Sequence, residues 1–208
     1  MDGNAIAELE DTLFEIKKKP ETAAQTVGDI IGVLIGLKPA MIGGFEEYEL
    51  DNSKIKEFDE TLNELGLEKV YFENSYLLGD KKMTVKSFCI SKKMSLAEQT
   101  QKAFTTLWAT MDEKGTILDR EKWVEATREI GELLGYPKTA TEEFIKEDDL
   151  DNKDRVERMK RNRYYIHSAK HEDEEFAAYD QKLNKAISEL APKTTNVLTS
   201  KKEKRWLA

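Results

Sequence analysis

The stretch Lys69-Val70-Tyr71-Phe72-Glu73-Asn74-Ser75-Tyr76-Leu77-Leu78-Gly79-Asp80-Lys81-Lys82-Met83-Thr84-Val85-Lys86-Ser87-Phe88-Cys89-Ile90 decides the fold class. Val70, Phe72, Tyr76 and Leu78 alternate in part with other residues, Gly79-Asp80 offers a tight turn, and Met83, Val85, Phe88 and Ile90 resume the apolar pattern. A period near two on both sides of a Gly-Asp pair reads as a β-hairpin. Two strands alone are marginal in water, so this hairpin must lean on helices or find a third strand, for which Phe45 to Leu50 is the candidate.

Outward from the hairpin the period changes to that of helices. Asn4 to Lys19 carries Ile6, Leu9, Leu13 and Ile16 at three- and four-residue steps and ends before Pro20. Thr22 to Leu37 continues as a second helix, with Gly28, Gly32 and Gly36 one turn apart as a smooth ridge for close packing. Lys38 to Gly44, containing Pro39 and Gly43-Gly44, reads as a connector. Ser53 is the expected N-cap of a third helix that Gly66 closes. Beyond the hairpin, Leu96 to Met111 is helical, and Asp119 caps a helix running to Leu134. Pro137 and Thr139 begin a short helix through Ile145, and Asp151 opens a poorly apolar one. Ser168 caps a last helix that Pro192 stops. The predicted class is α+β and mainly helical: N-terminal helices, a central hairpin with room for a third strand, and a helical C-terminal region containing a helix-turn-helix-like corner. Residues 1–190 read as one globular domain with a sub-boundary near 93–95, and residues 191–208 as a loose basic tail.

With 39% hydrophobic and 36% charged residues, the 208-residue chain can bury a core beneath a highly charged surface. A single cysteine, Cys89, excludes an internal disulfide and a cysteine-rich zinc site, which fits a cytoplasmic protein. The longest apolar run, Ile30 to Leu37, is bracketed by Asp29 and Lys38, and eight residues cannot cross a bilayer that needs about 20. The net charge of −8 is placed unevenly. Residues 142–151 carry −5, 153–170 carry +5, 171–180 carry −5 and 181–208 carry +5, so these blocks cancel. Alternating blocks of this kind pair with one another or face water more readily than they bind a polyanion.

Four constellations invite a functional reading. Ile130 to Ile145, with Gly131 and the turn at Gly135-Tyr136-Pro137, resembles the helix-turn-helix corner of DNA-binding proteins. Its second arm and the residues that follow offer Glu142, Glu143, Glu147, Asp148, Asp149 and Asp151, whose carboxylates would meet phosphates, so the corner serves packing. Thr110 to Glu121 has the glycine of a calcium loop at Gly115, but Thr110 stands where a carboxylate is expected and Lys114 puts an ammonium in the coordination shell. His167 and His171 lie beside Glu172 to Glu175, acids that a helix N-terminus favours without any metal. The basic and aromatic residues Arg155, Arg158, Arg161, Arg163, Tyr164, Tyr165 and His167 form the best candidate for partner or nucleic-acid contact. Asp154 with Arg158 and Glu157 with Arg161 equally suit a solvated helix.

No phosphate loop, nucleophile elbow or zinc-protease motif occurs, and no cofactor is implied. The sequence therefore points to a non-enzymatic protein-interaction domain with a protein partner. The alternatives are RNA or single-stranded nucleic-acid binding through residues 153–170, and an enzyme whose pocket bears no recognised motif.

Overall fold

The computed structural model describes residues 3–78, 81–112, 116–147 and 172–206. Three antiparallel strands, β1 (Ala40–Glu46), β2 (Glu68–Leu78) and β3 (Lys81–Ser91), form a sheet of order β1-β3-β2. Helices α1 (Gly3–Ile16) and α2 (Pro20–Leu34) precede β1, and α3 (Asn52–Glu64) separates it from the hairpin. Helices α4 (Met94–Ala109), α5 (Arg120–Leu133) and α6 (Lys138–Glu147) follow β3. The chain then runs through a short α7 (Glu172–Glu175), a π-helical turn at Phe176–Asp180, α8 (Gln181–Leu190) and α9 (Pro192–Trp206). The fold is mainly helical α+β, as the periodicities predict.

The pleat divides the sheet into two apolar faces. Phe45 and Phe88 on one face meet Phe58 of α3, with ring centroids 5.0–5.5 Å apart. Around them pack Ile6, Leu9 and Leu13 of α1, Ile30 and Ile31 of α2, and Leu183 and Ile187 of α8. Ile42 on the other face joins a smaller core with Phe104 and Leu107 of α4 and Ile130, Leu133 and Leu134 from α5 and its end. Phe72 of β2 also reaches Phe104, at 5.7 Å between centroids.

Four differences from the sequence reading stand out. The connector expected at Lys38 to Gly44 is largely strand β1, shifted toward the N-terminus from the Phe45–Leu50 candidate, whose remainder is a 3-10 turn at Glu47–Glu49. Gly43 and Gly44 are packing residues: a Cβ on Gly43 would lie 2.5 Å from the Phe88 ring, and one on Gly44 2.5 Å from Val85. Asp51 rather than Ser53 caps α3, its carboxylate accepting from the Ser53 and Lys54 amides at 2.9 and 3.4 Å. Pro192 opens a helix instead of only closing one, because a proline at the first helical position forfeits no intrahelical bond. The segment expected to be a loose tail becomes α9, held to α1 by the Thr194 amide donating to buried Glu10 at 2.7 Å. No helix among the described residues is long and apolar enough to cross a membrane.

Candidate functional site: a buried ion pair and an open sheet edge

The corner at Ile130 to Ile145 is a packing device. Gly131 sits so close to α6 that a Cβ there would lie 2.6 Å from Thr141 Oγ1. Gly135 takes φ +74°, and a Cβ would meet Pro39 at 2.9 Å. On the outer side Arg128 binds Glu142 through two hydrogen bonds of 2.6 and 2.9 Å. The forked guanidinium geometry thus uses up one of the carboxylates that made DNA contact unfavourable. Near the former calcium-loop candidate, Asp112 Oδ1 accepts from the Thr116 amide at 2.8 Å, and a bridge joins Met111 to Ile117. Among the described residues no group of three or more His, Cys, Asp or Glu could hold a metal ion. Cys89 is fully buried, and burial pushes its thiol up to about 12, so it does not supply a ready nucleophile. The basic and aromatic residues Arg155, Arg158, Arg161, Arg163, Tyr164, Tyr165 and His167 lie outside the described residues.

Two features stand out in the described structure. The first grows from the end of α2. Gly36 takes φ +75°, and the Leu37 and Lys38 amides both donate to the Gly32 carbonyl at 2.9 and 3.0 Å. This turn sends the Lys38 side chain back along the glycine ridge, where its Cδ lies 3.2 Å from the position a Cβ on Gly32 would take. Its ammonium donates to Asp29 Oδ1 at 2.6 Å and lies 5.7 Å from the centre of the Tyr136 ring. Burial opposes the charge on Lys38, yet Asp29, Tyr136 and Asp180 outweigh it and raise the lysine above its ordinary value. Burial also raises the Asp29 carboxyl, against the attraction of Lys38. Asp29 and Lys38 are the residues that bracket the longest apolar run, so the sequence carried a signal for this pair. What it could not carry is the turn that brings them together, or the arrival of Tyr136 and Asp180 from distant elements.

Tyr136 stands between two hollows. A cavity of about 190 Å³ is lined by Asp29, Lys38, Tyr136, Met41 of the larger core and several apolar side chains of the smaller one. A wider cleft of about 700 Å³ lies on the other side, bordered by Pro39, Arg128, Lys138, Glu142 and Tyr179. Two acids of the 171–180 block are buried nearby: Glu175 accepts from Thr139 Oγ1, and Asp180 bears on the charges of Asp29 and Lys38.

The second feature is the outer edge of β2. The register from Glu68↔Ser91 to Leu78↔Lys81 is unbroken, and no other described strand pairs with β2. The Ser75 amide donates to Asn74 Oδ1 at 2.9 Å, which turns it away from β3. Strand alternation then directs the Tyr71 and Glu73 amides to the same outer edge. A groove of about 550 Å³ lies over the face of the sheet on the inner side of β2, lined by Glu47, Leu50, Tyr71, Glu73, Thr84 and Lys86. Leu50 and neighbouring Tyr48 are 42% and 46% exposed, large apolar side chains left at the surface. The chain matches no protein-family model, no curated protein and no solved structure.

Proposed function

We propose that this chain is a non-enzymatic interaction module that takes an extended segment of a protein partner along the outer edge of β2. The observation that carries this reading is the edge itself: eleven residues, without a proline or bulge, and paired on one side only among the described residues. Edge strands are commonly blunted by shortness, bulges or proline, because their open amides and carbonyls are a template for another strand. Here Tyr71 and Glu73 of that strand also border a groove over the sheet face with both apolar and charged walls. That combination suits strand addition, in which main-chain bonds supply affinity and alternate side chains supply selectivity. The spent Arg128–Glu142 pair and the inert Cys89 also favour binding over chemistry.

Glu73→Pro tests the reading, since it removes an outward amide and leaves the bonds to β3 in place. The tagged full chain is used to recover partners from nuclease-treated extract, beside Glu73→Ala. A defined protein should be retained by the wild type and by Glu73→Ala and lost by Glu73→Pro, with circular dichroism unchanged. In the recovered complex the Tyr71 and Glu73 amides should gain protection from hydrogen exchange. Equal recovery by Glu73→Pro, or recovery abolished by nuclease, would refute the reading.

A further inference from the structure

We infer that the cavity at the Asp29–Lys38 pair is a binding site for a small aromatic molecule bearing one hydrogen-bond donor, of phenol to indole size. The walls set the class. Met41, Ile42, Phe104, Leu107, Ile130 and Leu134 form a predominantly apolar lining, and the charged pair closes one end. A predominantly apolar pocket with a few converging polar groups is the usual form of a small-molecule site.

Size narrows the choice further. An apolar cavity of about 150 Å³ is known to accept benzene. The present cavity of about 190 Å³ is of a size to take a ring with one or a few further atoms. The polar end sets the functional group. Lys38 is 4% exposed and directs its ammonium to Asp29 Oδ1, while the Asp29 side chain keeps 15% of its surface open. A carboxylate reached from an apolar cavity favours a ligand that donates, such as a phenol hydroxyl or an indole N–H, over one that only fills space. The hollow lies where the two cores meet, between β1, α4 and α5, and the site is independent of the β2 edge.

Phenol, indole and toluene serve as probes in titrations of the full chain labelled at its isoleucine and leucine methyl groups. Phenol and indole should give saturable shifts centred on Ile42, Leu107, Ile130 and Leu134. Toluene, which fills similar space without donating, should bind about ten-fold more weakly. Leu107→Trp fills the hollow and should abolish the shifts with the melting transition retained; Ile130→Phe is the second filling variant should the first fail to fold. Asp29→Asn should bring phenol and toluene closer in affinity. No saturable shift with any probe, unchanged binding in a folded filled variant, or equal affinity for phenol and toluene in the wild type would overturn the assignment.

Discussion

At the scale of single residues, burial of charge organises the larger core. Lys17, at the end of α1, is 5% exposed, and its ammonium donates to Glu49 Oε2 at 2.9 Å and to the Gly44 carbonyl. Glu49 also accepts from the Glu46 amide at 3.0 Å, so one carboxylate ties the 3-10 turn to the lysine. An ion pair held this deeply adds little net stability compared with an apolar pair, but breaking it leaves a charge unpaired. Lys17→Met should therefore cost about 3–5 kcal/mol in urea unfolding. The double variant Lys17→Met/Glu49→Leu should recover part of that loss, because no orphan charge remains. A double variant no more stable than Lys17→Met would contradict this account. The sequence marks Lys17 only as one of three consecutive lysines near a helix end. Its burial arises from β1 and the turn closing over it, contacts that no local pattern encodes.

Among the elements, two caps and one helix crossing show how far local chemistry was readable. Asp119 was expected to cap α5 and does so, accepting from the Lys122 amide at 3.1 Å. The Lys122 side chain and then its backbone amide hold the Asp119 carboxyl below its usual value, as Ser53 and Lys54 do for Asp51. A carboxyl depressed in the folded state contributes stability above its unfolded value, about 3.9, that is lost as pH falls through the lower folded value. Circular dichroism should thus record a loss of stability below about pH 4, with a smaller acid dependence in the Asp51→Asn/Asp119→Asn variant. The helix crossing is sharper. Gly131→Ala gains about 1 kcal/mol of helix propensity but drives a methyl into Thr141, an overpacking cost of typically 1–3 kcal/mol. The single variant should be destabilised, and adding Thr141→Ala should restore it in a double-mutant cycle of thermal unfolding. The sequence identified Gly131 as a small residue at a corner, since spacing alone reveals it. It placed Gly43-Gly44 in a connector because glycine under an aromatic ring and glycine in a loop are the same letter. The partner ring, Phe88, lies in another strand.

On the scale of the whole molecule, long-range pairing governs what could not be foreseen. The hairpin, the amphipathic helices and the Asp119 cap are local patterns, and each was legible. The Asp29–Lys38–Tyr136 cavity and the open edge of β2 depend on which elements become neighbours, so they were not. The same holds for α9, whose mean composition resembles a solvated tail. Its first turn gains a foreign cap, since Glu10 of α1 accepts from the Thr194 amide where a helix N-terminus welcomes negative charge. Glu10→Leu should leave that buried amide without its acceptor and cost about 1–3 kcal/mol, with Glu10→Gln much milder, as read from melting curves.

That cap joins positions 184 residues apart, which has a consequence during synthesis. A ribosome adding about 5–20 residues per second needs about 10–40 s to travel from Glu10 to Thr194. Throughout that interval α1 has been synthesised while the helix that caps onto it has yet to be made. The nascent chain therefore cannot complete its larger core before Thr194 has been made, and the buried Glu10 carboxylate waits that long for its amide.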